Sequence, residues 1–155
     1  MNHEKFMRHC LILGKQAMEN GESPVGAIVV KNGQIVSEAT ELAKTNADVT
    51  CHAEIEAIRL AVKGLKTSRL DQCHLYTTHE PCIMCSYVIR HHQIQSVIYG
   101  QQVPHIGGNS SDFNILGTTK IPHWHHPPEI LSGICEEECL QLSQIYLALK
   151  SKQHD

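Results

Sequence analysis

Two short segments, each at the start of a predicted helix, constrain what this chain can fold into. The first is Cys51-His52-Ala53-Glu54 and the second is Glu80-Pro81-Cys82-Ile83-Met84-Cys85. Together they offer one imidazole and two thiols, the usual number of protein ligands for a catalytic zinc that keeps its fourth position open for water. We expect one zinc ion per chain, and the predicted ligands are His52, Cys82 and Cys85. Glu54 is left over as the catalytic carboxylate, free to transfer protons.

The spacing within each segment is compatible with this geometry. Apolar residues follow Glu54 at helical intervals, so His52 and Glu54 open a helix. Residues two apart do not share a helix face, and this pair therefore converges only if the N-terminal end of the helix points at the metal. In a second helix, from 82 to about 92, Cys82 and Cys85 lie on one side. Both helices would aim their positive ends at the site, which favours thiolate over thiol.

Each motif also has a simpler explanation. A Cys-x-x-Cys pair occurs in structural zinc knuckles and in redox pairs, and a lone His-x-Glu is common by chance. Here the three ligands, the carboxylate and the proline occur in the right order, each at a helix start. This combination favours a catalytic zinc site over a structural zinc knuckle, a redox pair or a chance match. Cys51 is not counted as a ligand, because adjacent residues point apart.

The rest of the chain predicts alternating strands and helices. Predicted helices cover residues 3–20, 52–64, 82 to about 92, and 136–150. Predicted strands cover residues 24–30, 35–39, 74–77 and 96–100, and Asn32-Gly33 is the turn of a hairpin. This order indicates an α/β sheet whose later strands run parallel, with helices on both faces. Ligands in such sheets lie beyond the carboxyl ends of the strands.

Residues 101–128 have little periodicity, and structureless segments of this length are usually functional or mobile. We interpret this segment as a candidate substrate lid. Phe113 and Trp124 could stack on a flat ring or could be hydrophobic plugs, and the plug is the commoner role of a single aromatic. The segment also holds His123, His125 and His126, for which a solvated loop is favoured over a second metal site.

Composition narrows the class of protein. The chain has 155 residues, of which 41% are hydrophobic, and we expect a single domain over residues 1–155. It has no run of about eighteen apolar residues, and its first residues lack the charged-then-apolar layout of a secretory signal, so we expect neither a membrane span nor a secretory leader. Seven cysteines, two of them used by the metal, favour a reducing cytoplasm. A net charge of −3 argues against a broad nucleic-acid surface, because phosphate binding depends on Lys and Arg.

These residues resemble the cytidine deaminase-like superfamily, on the branch of tRNA adenosine deaminases, guanine deaminases and yeast-type cytosine deaminases. The matching segments are Ser23-Pro24-Val25-Gly26-Ala27, His52-Ala53-Glu54-Ile55, Leu75-Tyr76, Glu80-Pro81-Cys82-Ile83-Met84-Cys85, Gly133-Ile134 and Glu138-Cys139. The H-x-E and P-C-x-x-C pair is the signature of zinc nucleobase deaminases. The resemblance implies a three-layer α/β/α sandwich around a five-stranded mixed sheet, and a homodimer. It also implies that the Ala53 backbone and the Pro81 carbonyl contact the substrate.

Two departures from the family pattern shape the substrate prediction. Glu41 stands where family members commonly carry an asparagine that hydrogen-bonds the base, and a carboxylate prefers N–H donors such as a guanine-like edge. The segment Gln101-Gln102-Val103-Pro104-His105 lacks the basic residues of the tRNA enzymes. We therefore favour a zinc-dependent hydrolytic deaminase of a free nucleobase, nucleoside or related small heterocycle that releases ammonia. The tentative substrate contacts are Glu41, Ala53, Pro81, Gly26, Phe113 and Trp124; the glycine could instead serve close packing of a neighbouring helix.

Two alternatives remain open. The first is a tRNA-specific adenosine deaminase that converts wobble adenosine to inosine, for which strong salt dependence of RNA binding is expected. The second is a catalytically silent, zinc-stabilised partner subunit. The intact Glu54 argues against the silent subunit, which has no need of that carboxylate.

Overall fold

The computed structural model describes residues 2–153. The helices are α1 His3–Glu19, α2 Ala53–Leu65, α3 Ile83–His91 and α4 Glu136–Lys152. The strands are β1 Gly26–Lys31, β2 Gln34–Thr40, β3 Cys73–His79, β4 Ser96–Gln101 and β5 Glu129–Ser132. None of the helices in the described part of the chain is long and apolar enough to cross a membrane.

The five strands form one mixed sheet in the order β2-β1-β3-β4-β5. The pairs β1–β2 and β1–β3 are antiparallel, whereas β3–β4 and β4–β5 are parallel. Because β2 and β3 both run antiparallel to β1, their carboxyl ends lie at one edge of the sheet, and one motif segment follows each of these two strands. The predicted α/β fold with a five-stranded mixed sheet is therefore confirmed.

Alternation along the central strands divides the interior between the two faces of the sheet. On β1, Ala27 and Val29 join the core under α2 and α3, while Ile28 and Val30 join the core under α1 and α4. On β3, Leu75 and Tyr76 divide in the same way. A strand buried on both faces reads as a continuous apolar run, as β1 does. The result is the expected three-layer α/β/α arrangement.

The β1–β2 hairpin turns where the sequence predicted. Asn32 has φ 53° and Gly33 has φ 75°, the left-handed conformations that a type I′ turn requires. Gly26 has a different purpose, because a Cβ there would lie 2.3 Å from the Cys10 carbonyl oxygen and 2.6 Å from the Gly14 nitrogen of α1. Close packing of α1 on β1 explains this glycine, which corrects its assignment as a substrate contact.

The long segment between β4 and β5 is irregular, as expected, but it does not have the form of a lid. The buried Arg90 guanidinium, at the end of α3, donates to four of its carbonyl oxygens. Those acceptors are Ile115, Leu116, Thr118 and Trp124. Trp124 is 6% exposed, with the Arg90 guanidinium 5.1 Å from its ring centre, and is a plug against α3. The segment is thus a packed part of the fold.

Candidate active site

The two motif segments meet at the N-terminal ends of α2 and α3. His52 is the N-cap of α2, and Cys82 is the N-cap of α3, with Cys85 in the first turn. Neither N-cap side chain makes the usual capping hydrogen bond, so both are free to face the site. The positive ends of two helices therefore converge on this donor set, where they favour negatively charged thiolates.

The donor atoms have the separation that zinc requires. His52 Nδ1 lies 3.6 Å from Cys82 Sγ and 3.5 Å from Cys85 Sγ. Zinc bonds to nitrogen and sulfur at tetrahedral angles place such atoms about 3.6 Å apart. Within residues 2–153, these three side chains form the only group of three or more that could hold a metal ion. The three-ligand set fits zinc, whereas His123, His125 and His126 do not form a second such group.

The electrostatics of this group follow from its contacts. Hydrogen bonds from the Cys85 thiol and the His52 ring lower the pKa of Cys82 to about 4. The same hydrogen bond to Cys82 raises the pKa of His52 to about 9. Cys82 is therefore already a thiolate at neutral pH, the form that binds a metal.

Glu54 lies in the first turn of α2, directly beside the donor set. Its Oε2 is 3.5 Å from Cys85 Sγ, and the Thr77 hydroxyl donates to its Oε1 at 2.8 Å. Burial raises the pKa of this carboxyl group. A raised carboxyl pKa brings the group nearer to the working pH, which suits a side chain that accepts and returns a proton. Thr77 has no motif signal, and sequence reasoning missed it.

The three other predicted contacts at this end of the sheet are already engaged within the protein. Glu41 Oε1 accepts the Ala53 backbone N–H at 2.8 Å, which supplies the missing cap of α2. Burial, and then the charge of Glu54, raise the pKa of Glu41 to about 7. The Pro81 carbonyl accepts the Gly108 N–H at 2.8 Å and the Ser86 hydroxyl at 3.3 Å. The N–H donor that Glu41 was expected to seek on a substrate is thus provided by Ala53.

A cavity of about 500 Å³ opens over these groups. Four of the predicted site residues line it: Glu41, His52, Glu54 and Cys82. The cavity is also lined by the loop wall, which we define as residues 101–105, and by the helix wall, which we define as Ser143, Tyr146 and Leu147 of α4. Phe113, Trp124 and Gly26 are not among the described residues that line this cavity. The Phe113 side chain is 53% exposed to solvent.

Sequence reasoning also missed the polar chain that joins the two walls. His79, at the end of β3, hydrogen-bonds Ser143 Oγ through Nε2 at 3.1 Å, and Ser143 donates to Gln101 Oε1 at 2.6 Å. Burial lowers the pKa of His79 to about 4, so its ring is neutral at pH 7. These residues are 22 to 64 positions apart, and no local pattern connects them. The nearest available signal was the apolar stripe of α4, which predicted a helix but not its neighbours.

With the fold and the site in place, the class of protein follows. Residues 1–101 match the family described as cytidine and deoxycytidylate deaminase zinc-binding region. The chain belongs to this family of zinc-dependent deaminases, which are hydrolases acting on the C–N bond of a cyclic amidine, and zinc is its cofactor.

Individual relatives separate the branches of the family. The chain is 40% identical to a tRNA-specific adenosine deaminase of Aquifex aeolicus over 97% of this chain and 98% of that one. It is also 40% identical to a guanine deaminase of Bacillus subtilis, but over only 66% of each chain. A solved structure from studies of A-to-I editing by tRNA:A34 deaminases at the wobble position superposes with a TM-score of 0.83. It is 35% identical and is covered to 98%, with 89% of this chain matched.

These comparisons correct the substrate prediction. The favoured small-molecule, guanine-like substrate was wrong, and the alternative of tRNA adenosine is better supported. The tRNA-specific deaminase of Aquifex aeolicus keeps 40% identity over 97% of this chain, whereas the guanine deaminase of Bacillus subtilis does so over 66%. The physical reason is visible at Glu41, whose carboxylate oxygen is bound by the Ala53 N–H. The carboxylate therefore gave no ground for preferring a base that presents N–H donors.

Proposed function

We propose that this protein is a tRNA-specific adenosine deaminase that converts adenosine at the wobble position of a tRNA to inosine and releases ammonia. The observation that carries the proposal is the match to such an enzyme over 97% of this chain and 98% of the relative. That match extends beyond the motif-bearing part of the chain, to the elements that form the loop wall and the helix wall.

The chain's own residues account for the proton transfers of hydrolytic deamination. His52, Cys82 and Cys85 would hold the zinc, which supplies a Lewis acid that makes a water nucleophilic near neutral pH. Glu54 accepts the proton that the attacking water loses and gives it to the ring nitrogen beside the reacting carbon. It then takes the remaining proton of that water, from the hydroxyl now on the carbon, and passes it to the amine. The C–N bond breaks as the carbonyl forms, and ammonia leaves. Thr77 keeps Oε1 of Glu54 oriented through this cycle.

The charge distribution at the cavity is compatible with a polyanionic substrate. Lys44 donates to the Tyr146 hydroxyl at 2.5 Å and lies 5.1 Å from the centre of its ring. Burial raises the pKa of Tyr146, but the hydrogen bond from Lys44 and the charges of Lys44 and Lys150 outweigh it and lower that pKa. Two cations therefore lie near an aromatic residue of the helix wall. The absence of basic residues in the loop wall does not argue against RNA, because these cations come from other elements.

We further propose a cytoplasmic homodimer in which residues 1–155 act as one deaminase domain. Two neighbouring helices expose apolar side chains on the metal-binding side of the sheet, with Leu60 of α2 at 48% and Tyr87 of α3 at 53%. A second copy covering these side chains would remove them from water. Light scattering coupled to size exclusion tests this, and a monomer at assay concentrations contradicts it.

The substrate assignment is tested by direct comparison of substrates. The zinc-loaded protein is incubated with a tRNA carrying adenosine at the wobble position, and inosine is measured at that position. Parallel reactions with guanine, adenine, cytosine and adenosine measure released ammonia, and a tRNA with guanosine at the wobble position is the matched control. We expect inosine formation only with the adenosine-bearing tRNA. A higher kcat/KM on any free base would overturn the proposal.

A second test uses Lys44. If this cation contacts a phosphate, Lys44→Gln lowers the salt dependence of tRNA binding by about 0.7–0.9 in the slope of log K against log salt. Lys63→Gln, which removes a cation from the last turn of α2, is the matched control and leaves the slope unchanged. Equal slopes for the wild type and Lys44→Gln would contradict an RNA contact at this lysine.

A further inference from the structure

Glu80 is a buried carboxylate whose neighbours are almost entirely backbone groups of one loop. It is 3% exposed and accepts four hydrogen bonds. Oε1 accepts from Val103 N at 2.9 Å and from Ser110 Oγ at 2.5 Å. Oε2 accepts from Asn109 N at 2.8 Å and from Ser110 N at 2.6 Å. An ionised carboxylate has about four acceptor positions, and here each is used.

No cation accompanies this charge, since Glu80 forms no ion pair within residues 2–153. A buried charge without a partner is strongly destabilising unless hydrogen bonds compensate for the lost water. The four donors supply that compensation, and all of them come from a stretch of eight residues, 103–110; three are backbone N–H groups and the fourth is the Ser110 hydroxyl. The charge of Glu80 thus stabilises one particular conformation of this loop.

The loop that Glu80 holds, residues 103–110, begins within the loop wall of the cavity. Glu80 immediately precedes the segment that carries Cys82, and its own N–H donates to the Gln101 carbonyl at 2.9 Å. Gly107 forms an isolated bridge with Cys82, and Gly108 donates to the Pro81 carbonyl at 2.8 Å. The metal-binding segment and the loop wall are therefore joined directly, through Glu80 and the backbone beside it.

Gly107 shows how closely the loop covers the carboxylate. A Cβ at this position would lie 2.1 Å from the carboxyl carbon of Glu80 and 2.2 Å from Oε2. Any side chain at 107 must displace the carboxylate or the loop, so only glycine permits this contact. Glu80 and Gly107 therefore depend on each other, because the carboxylate fits only where residue 107 has no side chain.

We propose that Glu80 is a positioning residue for the deamination, which sets the loop wall at a fixed distance from the zinc ligands and Glu54. Glu80 also lines the cavity, but both of its carboxylate oxygens are bound by loop donors, and its effect is therefore exerted through the loop. The inference rests on the proposed function, because a tRNA extends beyond the reacting base and needs a wall to orient it. A wall that is already ordered lowers the cost of ordering the loop on binding, so loss of this order should weaken tRNA binding more than it slows the chemical step.

The test compares the wild type with Glu80→Gln. Glutamine keeps one acceptor oxygen but replaces the second carboxylate oxygen with an NH₂ group. This group is a donor, so the loop donors that bonded to the second oxygen lose their hydrogen bonds and face another N–H group. We expect amide hydrogen exchange in residues 102–111 to accelerate by at least about tenfold, because exchange reports local opening. KM for the tRNA should rise about tenfold, with kcat within about threefold and zinc still at one ion per chain.

Arg90→Gln is the matched control. Arg90 is also a buried ion that holds the same long segment, but it holds residues 115–124, none of which lines the described cavity. Its removal should accelerate exchange in residues 115–124 and lower stability, while KM for the tRNA stays near the wild-type value. An equal rise in KM in both variants would mean that KM follows general destabilisation, which overturns the proposal.

Two gentler variants keep the proposal testable if Glu80→Gln does not fold. Gly107→Ala pushes the loop from the carboxylate without changing the charge, and Ser110→Ala removes one of the four bonds. Both variants should accelerate amide hydrogen exchange in residues 102–111 and raise KM for the tRNA. We expect the larger effects for Gly107→Ala. Unchanged exchange in these variants, or a loss of zinc that accounts for the lost activity, overturns the role. A wild type inactive on tRNA overturns the proposed function instead, while the exchange comparison still decides whether Glu80 holds the loop.

Discussion

The two sides of the cavity are built by different means. On the metal side, regular helices present His52, Cys82 and Cys85 at their N-terminal ends. The other side includes the loop wall, most of which is irregular backbone, and hydrogen bonds from residues 103–110 to the buried Glu80 hold this wall and the turn that follows it. The first side contains the groups that bind the metal and transfer protons, and the second contains none of them.

This difference predicts separate consequences of mutation. Changes on the metal side should remove zinc or lower kcat, because the reacting atoms are there. Changes on the loop side should alter KM, because that surface orients the part of the substrate that does not react. Mutations of Glu54 and Cys85 test the metal side, and a mutation of His79 tests the polar chain between the two walls.

The largest effect is expected for Glu54→Gln. Loss of a general acid–base group lowers rates by about 10²–10⁴-fold, and Glu54 serves several proton transfers. Zinc content and KM should stay near wild type. Glu56→Gln, in the same first turn but paired with Arg59 at 2.5 Å, is the control and should keep full activity. Single-turnover inosine formation with metal analysis measures both, and near-native turnover by Glu54→Gln would refute the assigned role.

A smaller but still large effect is expected for zinc affinity in Cys85→Ser. Loss of one of three ligands should weaken zinc binding by more than the roughly 10–100-fold seen when outer-shell partners are removed. Cys51→Ser is the matched control, because this buried thiol is next to His52 but accepts from Asn46 and Arg59 instead. Competition with a chelator followed by metal analysis gives both affinities. If Cys51→Ser lost zinc as readily, the three-ligand set would have to be revised.

The smallest effect concerns His79 and the pH dependence of stability. Its folded pKa of about 4 lies below the ordinary 6.5, because burial disfavours the charged ring. The unfolded chain therefore takes up a proton before the folded chain does, and stability from this group is present above pH 6.5 and lost as the pH falls toward 4. The full difference amounts to at most about 3 kcal/mol. Urea unfolding of the wild type and His79→Gln from pH 7 to 4 measures it. Parallel curves for the two proteins would show that His79 does not contribute.

Much of the fold was predictable because its signals are local. The apolar run of β1, the Asn32-Gly33 turn and the periodicity of the helices each depend on neighbouring residues, and the structure confirms them. Strand β5 was not found from residue patterns, because it is a four-residue edge strand with no fully buried position. Only its parallel pairing with β4 makes it a strand.

In the candidate site, too, the residues with local sequence signals were predictable and those that depend on tertiary contacts were not. The signature residues could be named in advance, because metal chemistry restricts both ligand type and spacing. Glu41 was misinterpreted, because its partner is a backbone N–H twelve positions away. Trp124 was named as a tentative substrate contact, with a hydrophobic plug as the alternative. The structure buries it beside Arg90, a contact that no local pattern indicates.

The sequence by itself determined the chemistry of this protein, since an imidazole, two thiols and a carboxylate at helix starts define a zinc deaminase site. Only the tertiary structure decided how the substrate side is built, by bringing Glu80 to residues 103–110 and His79 to Ser143. The physical reason is that ligand spacing is encoded within single turns of helix. A loop wall, in contrast, depends on hydrogen bonds between backbone groups, which any residue type can supply and which only folding brings together.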